Sequence, residues 1–324
     1  MKKIFNKQNV FLLLLVLMVL LGKWLPYREE YSNYFNLEKF IDWGIALIFL
    51  LYGLKLNLKS IVKDVSNWRL HLLVQFGTFI LFPLLVYLFY GFAKNTDFYM
   101  LWLSAFFLAS LPSTVSSSVV MVSIARGNVT SAIFNASISG LIGIVMTPLL
   151  MGFFLSSGSS DYSGNGEVVQ QLLLKVLLPI VLGLLLNPLF KNIVSKYSHI
   201  ISEFDRLVIL LIVYESFSQA FLGNIFSSIP AMQFIILTLF VVMLFFVVYE
   251  VLRIISIKLK FNRADIITAT FCGSKKSLVH GSLFVLVLGI SAEDKVLFLL
   301  PVMIYHSFQL FYVSWLASRL SKQD

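Results

Sequence analysis

Two adjacent lysines, Lys275 and Lys276, lie near the middle of a strongly apolar stretch, residues 268–289, inside the string FCGSKKSLVHG (271–281). A charged side chain at bilayer depth is expensive, and where one occurs it pairs with another group or marks a pathway. On a continuous helix, neighbouring side chains point ~100° apart, so one of the two would face lipid or an apolar neighbour. Gly273, Ser274 and Ser277 flank the pair. Residues of this kind let a membrane helix break and satisfy the freed backbone groups. Cations at such a break can bind an anion, stand in for a metal ion or carry a proton. The plainer alternative is a lysine that reaches back to the interface. Depth opposes it, because Lys275 is 12 residues beyond Arg263, or ~18 Å at the helical rise, close to mid-bilayer.

Hydroxyl groups form the second constellation. Ser113, Thr114, Ser116, Ser117 and Ser118 follow Pro112 in the string LPSTVSSSV (111–119). They read either as small residues that permit close helix packing or as the rim of a break. A break would free the N–H groups of the following half-helix, a positive dipole end suited to anions. Ser131, Asn135 and Ser139 recur at i, i+4 and i+8, a polar stripe that serves interhelical hydrogen bonding or ligand contact equally well. His306 with Gln309, and Tyr305 with Gln309, share a helix face, and His280 follows Lys276 by four residues. A histidine in a bundle is either a satisfied core donor or part of a proton relay. Glu215, with Gln219 four residues on, is the one carboxylate that falls near a midplane, as counter-charge or proton carrier. Asp42, Glu250 and Arg253 fall near helix ends and read as interfacial. Asn262 and Asp265 have the spacing of an N-cap and its third-position acid. No P-loop, HExxH spacing or nucleophile–base–orienter set occurs, so neither an enzyme nor a cofactor is implied.

The elements that must position these groups are membrane helices. The chain of 324 residues is 59% hydrophobic and 13% charged, about half the charge content of a soluble domain. Its net charge of +9 reports membrane topology, since no basic stretch interleaved with aromatics suggests nucleic acid. The single cysteine, Cys272, excludes an intramolecular disulfide and a CxxC metal site. The N-terminal apolar run lacks a small-residue cleavage site and reads as a retained first helix. Stretches of about 20 apolar residues predict ten spans, near 8–26, 39–57, 70–93, 97–126, 129–155, 168–189, 204–224, 231–254, 264–289 and 294–318.

With the N-terminus inside, 17 Lys and Arg residues fall on the cytoplasmic side and only five (Lys23, Arg28, Lys39, Lys94 and Lys295) outside. The positive-inside rule therefore places both termini in the cytoplasm of a multi-pass protein of the cytoplasmic membrane. The most polar connection, SSGSSDYSGNGE at 156–167, has no Lys or Arg and falls outside. It divides the chain into helices 1–5 (1–155) and helices 6–10 (168–324), which start on opposite sides. The fold expected is an all-α protein of two inverted five-helix repeats. The fourth helix of each half holds the oddity, Pro112 in one and Lys275-Lys276 in the other. Interrupted helices at matching places in two halves point to a midplane site.

Five strings together carry a family resemblance: LIFLLYGLKL (47–56), LPSTVSSSV, ARGN (125–128), FCGSKKSLVHG and PVMIYHSFQL (301–310). In this order they resemble the bile acid:sodium symporter superfamily, and within it the SBF-like branch that holds the seventh member of solute carrier family 10. The resemblance spans nearly the whole chain. It implies a core domain in which broken fourth and ninth helices cross, and a panel domain of the first, second, sixth and seventh helices. It also implies a substrate between the two, moved by alternating access.

Against that pattern the chain departs at its centre. Sodium-coupled members of the family carry an acid and a Gln-Asn pair at the ninth-helix break. Here Phe271 falls in the acid's place, Lys275-Lys276 replace the amides, and Val119 or Val120 falls where an asparagine is expected. The resemblance therefore implies a secondary transporter whose sodium sites are lost. Its expected partners are the bilayer, a small organic anion and protons, with proton coupling or exchange in place of sodium. The alternative is a non-transporting membrane regulator of ion homeostasis built on the same fold.

Overall fold

The computed structural model describes residues 7–28, 30–31, 35–55, 67–155, 178–224, 230–288 and 292–322. The connection at 156–167, the start of the expected sixth span and the loop at 56–66 lie outside the described residues. The described residues hold helices and no strand, as expected where lipid gives backbone groups no water to bond.

In chain order the helices are α1 (Lys7–Trp24), α2 (Leu37–Lys55), α3 (Trp68–Phe76), α4 (Phe82–Tyr87) and α5 (Tyr90–Ala93). Then follow α6 (Tyr99–Ser110), α7 (Ser116–Ile124), α8 (Val129–Leu155), α9 (Leu178–Lys196) and α10 (Ser198–Leu222). The last four are α11 (Ala231–Lys258), α12 (Arg263–Gly273), α13 (Leu278–Val287) and α14 (Ala292–Leu320). Among the described residues, four stretches are helical, long and apolar enough to cross a membrane: Trp68–Tyr87, Val129–Phe154, Ala231–Lys258 and Asp294–Leu320.

Most helices lie within a few residues of the apolar runs that predict them. The stretch 70–93 differs. It is interrupted by a π turn at Gly77–Leu81, between α3 and α4, and by a bend before α5. The π turn stands just before Pro83, whose ring and missing N–H disturb the regular ladder there. The runs 97–126 and 264–289 each divide into two helices, with non-helical chain at 111–115 and 274–277.

The chain forms two compact units. The first comprises Met1–Leu56, Gly166–Pro230 and Ser282–Val296. In it α2 and α9 cross with their backbones touching: a Cβ added to Gly183 would overlap the Leu50 carbonyl, and one added to Gly53 would overlap the Ile180 carbonyl. Asn187 Nδ2 donates to the Leu54 carbonyl at 2.6 Å at the same crossing. Small residues at such crossings are how membrane helices approach closely. The α1–α10 pair repeats the device with Gly22 against Ser218, and Tyr214 donates to the Leu25 carbonyl at 2.7 Å.

The second unit comprises Asn57–Asn165, Ala231–Gly281 and Leu297–Asp324. Its aromatic layer places Phe245 edge-on to Tyr305, Phe308 and Tyr312. Near one end of this unit, Asn262 caps α12 by accepting from Asp265 N at 2.8 Å, as its spacing predicts. Asp265 also accepts from Asn128 and Asn262, each at 2.9 Å, which ties the ARGN turn to α12.

Candidate functional site

All of the break residues lie in the second unit, and the two breaks meet. Pro112 cannot donate to the Leu108 carbonyl, so α6 ends at Ser110 and Leu111 turns extended, with φ −70 and ψ 151. The N–H of Ser113, which would have served the Ala109 carbonyl, donates instead to Ser139 Oγ at 2.9 Å. The carbonyls of residues 109–112 are thereby released, and each finds a partner outside its helix. Thr147 Oγ1 donates to Ser110 at 2.8 Å and Ser277 N–H to Pro112 at 3.0 Å. Ala109 and Leu111 are both taken by Lys276. Pro112 itself presses on Gly143, where a Cβ would lie 2.6 Å from its ring.

A third carbonyl joins them from the π turn. There Phe82 N–H bonds to Gly77, five residues back. The next donor in that register would be residue 83, a proline, so the Thr78 carbonyl is left without one. Lys276 Nζ fills that vacancy at 2.7 Å.

The second break is held by side chains of α14. Gln309 accepts from Lys276 N–H at 2.8 Å through Oε1 and donates to the Lys276 carbonyl at 2.7 Å through Nε2. Tyr305 OH donates to the Ser274 carbonyl at 2.6 Å. His306 Nδ1 lies 2.9 Å from Gln309 Nε2 and 3.5 Å from the Lys276 carbonyl. Ser113 Oγ donates to the Cys272 carbonyl at 2.5 Å, tying one break to the other. Ser274 Oγ turns back to Thr270, and Ser277 Oγ meets the N–H and Nδ1 of His280 at the start of α13.

Both lysines are fully buried, yet their surroundings differ. Because the chain is not helical between Ser274 and Ser277, the adjacent side chains leave it in different directions. The Lys276 nitrogen has three carbonyl acceptors, Thr78, Ala109 and Leu111, at 2.7, 2.6 and 2.7 Å. Three acceptors demand three N–H groups, which an ammonium has and a neutral amine lacks. The Phe82 ring lies 4.2 Å from the same nitrogen, a cation–π contact. Lys275 Nζ makes one hydrogen bond, to the Ser117 carbonyl at 3.0 Å in the first turn of α7. Neither lysine is ion-paired among the described residues.

The hydroxyls beside Lys275 bond among themselves. Thr114 Oγ1 lies 2.7 Å from Ser118 Oγ and accepts from Ser117 Oγ at 2.9 Å. The Ser116 side chain lies outside the described residues. Asn135 sits apart from the break, bonded to His71 Nδ1 at 3.0 Å, Gln75 at 3.2 Å and the Ser131 carbonyl at 2.9 Å. Glu215 belongs to the first unit, on α10, buried beside Ser216. Thr78, Phe82 and Pro83 were not singled out from the sequence. Their signal was Pro83 inside an apolar run, five residues after the carbonyl it leaves free.

Over residues 9–322 the chain matches the SBF-like CPA transporter family. It belongs to that family. The chain is 36% identical over 323 residues to the Escherichia coli protein named "Putative symporter YfeH", spanning 99% of this chain and 95% of that one. It is 28% identical to "Sodium/bile acid cotransporter 7-A" of Xenopus laevis, spanning 85% of this chain and 83% of the frog protein. The mouse "Sodium/bile acid cotransporter 7" gives 28% over 85% and 84%. This SBF-like chain is therefore a multi-pass membrane protein of a transporter family and not an enzyme. A small solute and the lipid bilayer are its partners.

Proposed function

We propose that this transporter carries a small organic anion by alternating access, that Lys275 is the cation meeting that anion, and that protons or solute exchange replace sodium as the driving partner. The observation that carries the reading is the unequal state of the two lysines. Lys276 spends all three N–H groups on backbone carbonyls, whereas Lys275 spends one, on Ser117. The start of α7 and the hydroxyls of Thr114, Ser117 and Ser118 lie on that same side of the break, where helix N–H groups and dipole favour negative charge. Ser113, Ser116, Ser274, Ser277 and Asn135 complete the polar set in this reading. His280, His306, Gln309 and Tyr305 are its proton or charge partners, and Glu215 is a separate candidate proton carrier within the first unit.

The architecture proposed is ten membrane helices in two inverted repeats, 1–155 and 168–324, with 156–167 outside. Both termini face the cytoplasm, and the membrane is the cytoplasmic one. The two breaks, each dividing the fourth apolar run of its half, support it. Relatives named for sodium and bile acid support an anionic solute. Sodium is not carried over, because an ammonium at the crossing repels a second cation.

The test is transport by purified protein in liposomes. Anionic metabolites, steroids and lipids are first screened for a thermal shift, with and without sodium and at several pH values. Hits are then assayed for counterflow and uptake. Expected is uptake independent of sodium, driven by a proton gradient or by internal anion, and lost in Lys275→Ala. Sodium-dependent uptake abolished by Lys275→Ala would overturn the coupling assignment. Absence of any thermal shift or counterflow would favour a non-transporting regulator.

A further inference from the structure

We propose that the carbonyl oxygens of Thr78, Ala109 and Leu111, with the face of Phe82, form a latent monovalent-cation site, which the Lys276 ammonium occupies as a built-in ion. This goes beyond the transport reading and does not depend on which solute is carried.

The argument starts from the backbone. Pro83 removes the donor that the π register would aim at Thr78, and the break that begins at Pro112 takes the Ser113 N–H to Ser139 and leaves the Ala109 and Leu111 carbonyls outside the helical ladder, so three carbonyls converge with no helical N–H to serve them. In a bilayer such groups must be satisfied internally. They converge on one point, 2.6–2.7 Å from the Lys276 nitrogen, with an aromatic ring 4.2 Å away. Converging carbonyls that replace a hydration shell are how proteins hold potassium, and an aromatic face adds attraction for organic ammonium ions. No carboxylate joins the cage among the described residues, so a divalent charge would stay uncompensated. The spacing is also too wide for magnesium, which sits at ~2.0–2.1 Å from its ligands. Potassium-sized and methylammonium-sized ions are the class that fits. The cage is set by the π turn before Pro83 and by the break at 111–115, so shortening the lysine side chain should leave the cage in place with room for an ion.

The experiment compares the purified full-length chain with Lys276→Ala and Lys276→Met in detergent. Thermal unfolding is followed in chloride salts of N-methylglucamine, sodium, potassium and methylammonium at constant ionic strength. The expected result is no difference among cations for the unaltered chain. Lys276→Ala should gain about 3 °C or more with potassium or methylammonium over N-methylglucamine, saturably. Lys276→Met should be destabilised and unresponsive, because its side chain fills the space. If Lys276→Ala yields no monodisperse protein, the same cations are supplied during expression and extraction. Recovery with methylammonium then supports the site, and absence of recovery with every cation overturns it. An equal response of all three chains, or a Lys276→Ala chain blind to every cation, also overturns it.

Discussion

Gln309 closes both hydrogen-bonding groups of the Lys276 peptide, accepting from its N–H at 2.8 Å and donating to its carbonyl at 2.7 Å. One primary amide from α14 thus replaces the two helical neighbours that the break at 274–277 takes away. Truncation would leave a buried donor and a buried acceptor together, each costing about 1–3 kcal/mol. Gln309→Ala is therefore expected to lower stability by roughly 2–4 kcal/mol, read as a fall in Tm. A Tm unchanged in both Gln309→Ala and Gln309→Met would show that the clamp is not made.

The two lysines should separate by stability as well as by function. Lys276→Ala exposes three orphan carbonyls and Lys275→Ala only one, at about 1–3 kcal/mol for each group left buried and unsatisfied. In cation-poor buffer the Lys276 variant is expected to be the less stable of the two by at least about 2 kcal/mol. Uptake of the anion found by screening should fall more than about tenfold in Lys275→Ala, since a charge-assisted contact is worth ~1.5–3 kcal/mol. Equal melting curves for the two variants would refute the division.

At the α2–α9 crossing, Gly53 and Gly183 have no room for a methyl group, because backbone and not side chain stands in the way. Gly183→Ala is expected to cost about 3 kcal/mol or more by overpacking. Size-exclusion of detergent-extracted protein should show loss of the monodisperse peak. Gly91→Ala, where nothing lies within 4 Å of the added carbon, serves as the control and should behave as the unaltered chain.

Asp265 joins Asn128 to Asn262 through one carboxylate, with both contacts at 2.9 Å. Asp265→Ala removes those two charge-assisted bonds and should cost about 2–3 kcal/mol locally. Hydrogen exchange at residues 125–130 is the sensitive measure, and it should quicken there while α8 stays protected. Unaltered exchange at the ARGN turn would show that Thr268, which bonds to both the N–H and the carbonyl of Asn128, suffices alone.

Much of this was legible in the residues. Apolar run lengths placed helices such as α8 to the residue, Pro112 marked a break, and the serine-flanked lysines marked another. The Asn262 cap was readable because capping is a local rule written within four residues. What could not be read is which lysine does what. That depends on which backbone carbonyls are orphaned, and the Thr78 carbonyl is orphaned by a change of hydrogen-bond register at Gly77–Leu81 that hydropathy does not see. Likewise the stripe Ser131, Asn135 and Ser139 was equally good for packing or for a ligand. Its partners, His71, Gln75 and Ser113, lie 26 or more residues away along the chain, and no spacing rule links them.

A cation on a four-carbon tether cannot be diluted. At the Thr78, Ala109 and Leu111 carbonyls the ammonium is present at an effective concentration set by its own side chain, unrelated to the salt on either side of the membrane. A dissolved ion at the same oxygens would come and go with its gradient, and the two breaks would tighten and loosen with it. With Lys276 the three carbonyls keep a tethered partner whatever salt lies on either side of the membrane.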